Sequence, residues 1–257
     1  MRRHVAFRCG TDLLAGTLDG AGGSSGLLLV SGGNETRAGA FSGQAELAAR
    51  IASHGYPVFR YDRRGVGDSE GQNRGFRDAA NDIAAALAAF RKASPALERV
   101  IAFGNCDAAS ALMLAQGAGC DALVLANPWT FEDPSDSAPA PQAVRARYRE
   151  KLGNPGELMR LLKGQVSFRK LARGVVQALR PQVPPSNLLQ AMALGISRFD
   201  GPVLFLIAGR DRTGLAFEAS WPKSDRRIQR CPDGTHAFSE MASRDWLVAR
   251  LLEALSA

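Results

Sequence analysis

Three residue types that together can move an acyl group occur in order along this chain: Cys106, Asp211 and His236. A thiolate attacks a carbonyl carbon. An imidazole takes the thiol proton and returns it to the leaving group, while a carboxylate fixes the working tautomer and stabilises the imidazolium. Each of the three follows a segment read as a strand and its exit: RVIAFGN before Cys106, VLFLIAGR before Asp211 and RRIQRCPDGT before His236. In a parallel α/β sheet, reactive groups collect beyond the carboxyl ends of the strands. The order nucleophile, acid, histidine is therefore read as a candidate catalytic triad.

The surroundings of Cys106 fit a sharp strand-to-helix turn. In GNCDA the flanking Gly104 and Ala108 are small, which such a turn requires for steric reasons, and DAASALMLAQGAG continues as a helix. Unpaired N–H groups at a helix start favour a thiolate, whereas the carboxylate of Asp107 works against it. The backbone N–H of Asp107 and one from the loop Gly32-Gly33-Asn34, at Gly33 or Asn34, are the expected oxyanion donors. Structural roles compete with each assignment. Cys106 could be a small residue at a crowded turn, Asp211 a helix cap and His236 a loop residue. Ser110 falls one helical turn past Cys106 and is a poor nucleophile candidate. Cys9, Cys120 and Cys231 have no metal-like or paired spacing and are expected to be structural.

The elements that must position these residues alternate. HVAFRCGTDLLAGTLDG predicts a hairpin, SGLLLV a strand, residues 41–54 a helix with Leu47, Ala48 and Ile51 on one face, and YPVFRYD another strand. FRDAANDIAAALAAFRKAS predicts an amphipathic helix burying Ile83, Leu87 and Phe90. DALVLANP, GPVLFLIAG and RRIQRCP are further strands, and RDWLVARLLEALS is a terminal helix. Such alternation, with strands apolar throughout, implies a mostly parallel sheet covered on both faces. Residues 131–199 break the pattern with helical segments and no strand, and are expected to form an inserted cap. The cap is basic, with Arg145, Arg147, Arg149 and Lys151 among its charges. A single domain over 1–257 follows.

Composition narrows the class. With 257 residues, 46% hydrophobic and 22% charged, the chain can bury a sizeable core and is not a disordered protein. No apolar run approaches the length of a membrane span, and the N-terminus is interrupted by Arg8, Cys9 and Asp12 before a signal sequence could develop, so a cytoplasmic location is expected. The net charge of +7 favours anionic partners without naming one. There is no nucleic-acid motif. Neither a cofactor nor a metal site is expected.

Four segments resemble motifs of the α/β-hydrolases: GNCDA the nucleophile elbow G-x-S-x-G with cysteine for serine, DRRGVGDSEG the D-x-R-G-x-G-x-S loop, GRD at 209–211 the acid turn and GTHAFS the histidine loop. In the second, Asp62 and Arg63 are read as structural pins. The elbow GNCDAA, the loop SGGNETRAG and the chain length further resemble exosortase A system-associated hydrolase 1, a bacterial group encoded beside exopolysaccharide genes. The resemblance implies a bacterial hydrolase-fold protein of that gene neighbourhood and supplies no substrate; a thiol nucleophile favours thioesters and activated esters of a small acyl group, and the basic cap favours an anionic carrier such as coenzyme A or an acyl carrier protein. Acyl transfer to a saccharide, and a catalytically silent ligand-binding homologue, remain as alternatives. The oligomeric state is not legible.

Overall fold

The computed structural model describes residues 2–20, 22–132 and 186–257. The expected insertion at 131–199, with its basic residues 145–180, lies for the most part outside the described residues. β1 (Arg2–Cys9) and β2 (Asp12–Asp19) form the hairpin, paired from Arg2↔Asp19 to Cys9↔Asp12 across a two-residue turn in which Gly10 takes a φ of 62°. There follow β3 (Ser25–Val30), α1 (Gly43–Ser53), β4 (Val58–Tyr61), α2 (Ala80–Ala93), β5 (Arg99–Asn105), α3 (Asp107–Leu114) and β6 (Ala122–Ala126). After the insertion come α4 (Asn187–Ser197), β7 (Val203–Ala208), α5 (Arg212–Ser220), β8 (Ile228–Cys231) and α6 (Met241–Ser256).

The strands make one eight-stranded sheet in the order β1-β2-β4-β3-β5-β6-β7-β8. The pairs β1/β2 and β2/β4 are antiparallel and the others parallel. Successive residues of a strand point to opposite faces, so strands apolar at every position need cover on both. On one face Leu28, Phe59, Ala102, Leu123 and Phe205 pack under α2, α3, α4 and Phe217 of α5. On the other, Leu27, Leu29, Val58, Ile101 and Val124 pack under α1 and α6, through Leu47, Ala48 and Ile51 of the former and Leu247, Val248, Leu251 and Leu255 of the latter. The register Val30↔Gly104, Asn105↔Ala126 and Ala208↔Cys231 brings the carboxyl ends of the central strands together at one edge.

Two elements differ from the sequence expectation. α3 stops at Leu114 rather than running to Gly119, because Gln116, Gly117 and Ala118 take positive φ values of 51°, 73° and 49° as the chain turns back towards β6. Gly117 sits under the Phe199 ring, where an added Cβ would lie 2.5 Å from ring carbon Cε2. The last helix of the expected cap, α4, is part of the body. Ser186 caps it by accepting from Leu189 N at 3.1 Å, and Leu188, Leu189, Met192 and Ile196 are buried in the core. Gly195 lies against the Met113 carbonyl, where any side chain would collide, so α4 and α3 are in backbone contact. Among the described residues, no helix is long and apolar enough to cross a membrane.

Candidate active site

Cys106 sits between β5 and α3 with φ 61° and ψ −126°, a conformation that side chains rarely adopt. The surrounding structure holds it there. Cys106 N donates to Ala126 O at 2.9 Å, and its carbonyl accepts from Trp129 N at 3.2 Å and Ser110 N at 3.3 Å. The small neighbours are required: a Cβ on Gly104 would lie 2.7 Å from the Ala108 carbonyl carbon, and Ala108 itself is buried. Cys106 is partly accessible, at the head of α3, where unpaired N–H groups favour negative charge. Ser110 is fully buried and donates to Trp129 O at 2.8 Å, which leaves it no part in the chemistry.

Asp211 and His236 reach Cys106 because their two loops are tied together. Gly209 N donates to Cys231 O at 2.8 Å and Arg210 N to Gly234 O at 2.9 Å, while Gly209 packs so closely on Pro232 that a side chain would not fit. Asp211 is buried, and its two oxygens do different work. One accepts from Gly214 N at 2.9 Å and caps α5; the other lies 3.0 Å from His236 Nδ1. Cys106 and His236 line the same cavity, and the thiol acts on the imidazole as well. With Nδ1 engaged by the carboxylate, Nε2 is left for the sulfur. The Asp211 carboxylate and then Cys106 push the His236 pKa up to about 10, against the opposing effect of burial. His236 is thus an imidazolium at neutral pH. The cap and the triad roles of Asp211, competing readings of the sequence, are compatible in the structure.

Two carboxamides that the sequence reading passed over hold the histidine loop. Asn105 Nδ2 donates to His236 O at 3.0 Å, and Asn127 Nδ2 donates to Asn105 Oδ1 at 3.0 Å and to His236 O at 3.3 Å. Asn127 is fully buried, has φ 44°, and accepts from Ala208 N at 2.8 Å, next to the acid turn. The only sequence signal is position, since both asparagines stand at the carboxyl end of a predicted strand.

The loop 31–37 closes the other side. Arg37 N donates to Asp62 Oδ1 at 2.5 Å, the Arg37 guanidinium pairs with Asp62 and Asp68, and Arg37 Nε donates to Thr17 Oγ1 at 3.1 Å. Asp62 is fully buried, accepts from Asp68 N at 3.0 Å, and leaves no room for a side chain at Gly67. It is a pin, and it pins the loop 31–37 as well as its own. Gly33 N points at the elbow and donates to both carboxylate oxygens of Asp107, at 2.8 and 2.9 Å. Asn34 is exposed, and its side chain accepts from Asn73 at 2.8 Å. Of the two loop residues named as candidate oxyanion donors, Gly33 is the one brought to Asp107, next to Cys106.

A cavity of about 520 Å³ opens over Cys106, Asp107 and His236. Its walls are mostly apolar, with Val30, Leu47, Phe76, Phe103, Trp129 and Phe238 among them; Glu35, Gln44 and Arg244 add polar groups. The other three cysteines are buried away from it. Burial pushes the thiols of Cys9 and Cys231 up and that of Cys120 up to about 12, the environment of inert structural thiols.

No curated protein sequence matches the chain. Among solved structures, it is similar to the Pyrococcus furiosus esterase Pf2001, with 16% identity, 100% of this chain and 90% of that one covered, and a TM-score of 0.62. It is also similar to the alpha/beta hydrolase GrgF from Penicillium sp. sh18, at 18% identity, 99% and 98% coverage and TM-score 0.61. The thioesterase domain from the curacin biosynthetic pathway matches at 12% identity, 98% and 99% coverage and TM-score 0.57. At these identities the likeness is one of fold. The profile of the alpha/beta hydrolase family matches residues 27–250, most of the chain. This protein, with its eight-stranded sheet and its elbow, acid turn and histidine loop in order, belongs to the alpha/beta hydrolase family.

Proposed function

We propose that this protein is an acyl hydrolase, a thioesterase or esterase, working through Cys106, His236 and Asp211. One observation carries the reading: Asp211 lies 3.0 Å from His236 Nδ1, and His236 and Cys106 share the floor of one apolar cavity, with Cys106 at a helix head. An imidazolium with a pKa pushed up to about 10 suits a thiol and not a hydroxyl. A serine needs a neutral imidazole to take its proton, whereas a thiolate is stabilised by the cation beside it.

The Cys106 thiolate attacks the acyl carbon, forming the S–C bond as the carbonyl π pair moves to oxygen. Backbone N–H groups of Asp107 and Gly33 receive that oxygen. The pair returns, the bond to the leaving group breaks, and His236 protonates the departing thiolate or alkoxide. Water then gives a proton to His236 and attacks the acyl-cysteine, releasing the acid and the thiolate. A thiolate is itself a good leaving group, so thioesters and activated esters suit the site best. The names of two structural neighbours, an esterase and a thioesterase, agree with this chemistry.

The finer assignment rests on the sequence. We place the enzyme in the cytoplasm, acting on a small acyl substrate held by coenzyme A or an acyl carrier protein, in the exosortase-linked setting that GNCDAA and SGGNETRAG resemble. The Asp107 carboxylate on Gly33 favours one competing reading, a silent ligand-binding homologue. Turnover of butyryl thioester, with mass-spectrometric trapping of the acyl-enzyme, decides between them. Wild type forms the adduct on Cys106 and hydrolyses it, and Cys106→Ala does neither; full activity in Cys106→Ala would overturn the proposal. Added alcohol or amine acceptors separate hydrolysis from acyl transfer by product mass.

A further inference from the structure

The residue after the nucleophile is a carboxylate where the reaction needs only a backbone N–H. Asp107 does not point away from the site. Both its oxygens accept from Gly33 N, at 2.8 and 2.9 Å, and Gly33 N is the loop donor that the acyl oxygen requires. The room for this contact exists because Gly32 has no side chain; a Cβ there would collide with Asp107 Oδ1.

A charged acceptor holds an N–H more strongly than a neutral carbonyl does. A plain acyl group therefore competes poorly for Gly33, and an oxyanion forming on it meets a second negative charge nearby, the reverse of what its stabilisation needs. The carboxylate leaves Gly33 readily only if another partner satisfies it. On the described wall of the cavity the cations are already engaged. Arg244 is paired with Glu46 at 2.8 Å, and His236 is held between Asp211 and Cys106. Among the described residues lining the cavity no cation is left for it; a group on the substrate can supply the partner.

We propose that Asp107 is a specificity-determining residue that selects acyl groups bearing a hydrogen-bond donor, a hydroxyl or an ammonium, one or two carbons from the scissile carbonyl. The donor takes the carboxylate, Gly33 N–H is released to the carbonyl oxygen, and the aliphatic remainder lies along Val30, Phe103 and Trp129. This deepens the hydrolase reading and rests on it.

The test compares N-acetylcysteamine thioesters of butyrate, 3-hydroxybutyrate and β-alanine, which share a leaving group, in wild type, Asp107→Ala and Asp107→Asn. Wild type favours at least one donor-bearing thioester over butyryl by about tenfold in kcat/KM. Asp107→Ala raises kcat for butyryl thioester by about tenfold, part of the value of one oxyanion donor, and abolishes the preference. Asp107→Asn, a neutral acceptor, falls between. The hydroxybutyrate and β-alanine arms tell hydroxyl from ammonium. No preference in wild type and no gain in Asp107→Ala, with Cys106 still alkylated at the wild-type rate, overturns the proposal. If none of these proteins turns over any thioester, the hydrolase reading fails separately. The Gly33 amide resonance then decides: saturable displacement by β-alaninamide or 3-hydroxybutyramide but not by butyramide supports the inference, and an equal response or none overturns it.

Discussion

Asp211→Asn removes a charge and little else. The carboxylate has two tasks, accepting from Gly214 N at 2.9 Å and facing His236 Nδ1 at 3.0 Å. An asparagine oxygen can keep the first, so the cap of α5 survives. Its amide then turns N–H groups towards Nδ1 and stabilises the tautomer protonated on Nε2, the wrong one for taking a proton from the attacking water. The expected loss is about 100-fold or more in kcat/KM for a thioester.

The same substitution acts on stability with a definite sign. His236 is raised from 6.5 to about 10, with Asp211 as the largest cause. A raised histidine stabilises the fold fully below its unfolded pKa of about 6.5, and that contribution is lost as pH climbs through about 10. The imidazole side chain is 46% exposed, so solvent screening reduces the contribution to about 1–2 kcal/mol. For a chain of this length that corresponds to a Tm difference of about 3–6 °C. Thermal unfolding of wild type and Asp211→Asn at pH 6 and pH 10, with NMR titration of His236, measures it. The gap between the two proteins should be widest at pH 6 and close by pH 10. A constant gap, an unshifted His236 titration, or wild-type turnover in the variant would refute the argument.

Two further substitutions test the supports of the site. Gly104→Ala drives a Cβ to 2.7 Å from the backbone of Ala108; because backbone cannot yield as a side-chain tip does, it should cost about 3 kcal/mol in urea unfolding and slow Cys106 alkylation, whereas Ala at the half-buried Gly43 on the cavity wall, where a Cβ meets nothing, should leave stability unchanged. Asn127→Leu keeps the volume but strips the donor to His236 O and Asn105 Oδ1 and leaves Ala208 N without its acceptor. It should cost about 2–3 kcal/mol, helped by the strain of leucine at φ 44°, and lower kcat about tenfold while KM stays near the wild-type value. Unchanged turnover would show that the histidine loop holds its place without that network.

What the sequence by itself determined is periodicity, punctuation and order. Apolar runs of strand length separated by helices with 3.6-residue spacing specify a covered parallel sheet, and β3, β5, β6 and β7 formed where LLLV, VIAFGN, ALVLA and VLFLIA stand. Gly104 and Ala108 around Cys106 carry a local steric requirement, so the elbow was legible from five residues. Asp211 and His236 were legible because each follows a strand in the right order. Contacts between segments distant in sequence were not. That α4 belongs to the body depends on Gly195 meeting the backbone of Met113, and nothing in NLLQAMALG distinguishes a core helix from a cap helix. That Gly33 and not Asn34 meets the elbow depends on Arg37 being tied to Asp62 in another loop. Asn105 and Asn127 became supports of His236 only once β5, β6 and the histidine loop met at one sheet edge. The carboxylate of Asp107, which the sequence reading treated as a charge beside the thiol, is instead committed to Gly33. Hydrogen-bond partners so far apart along the chain leave no periodic trace, because each is chosen by where the fold puts the other.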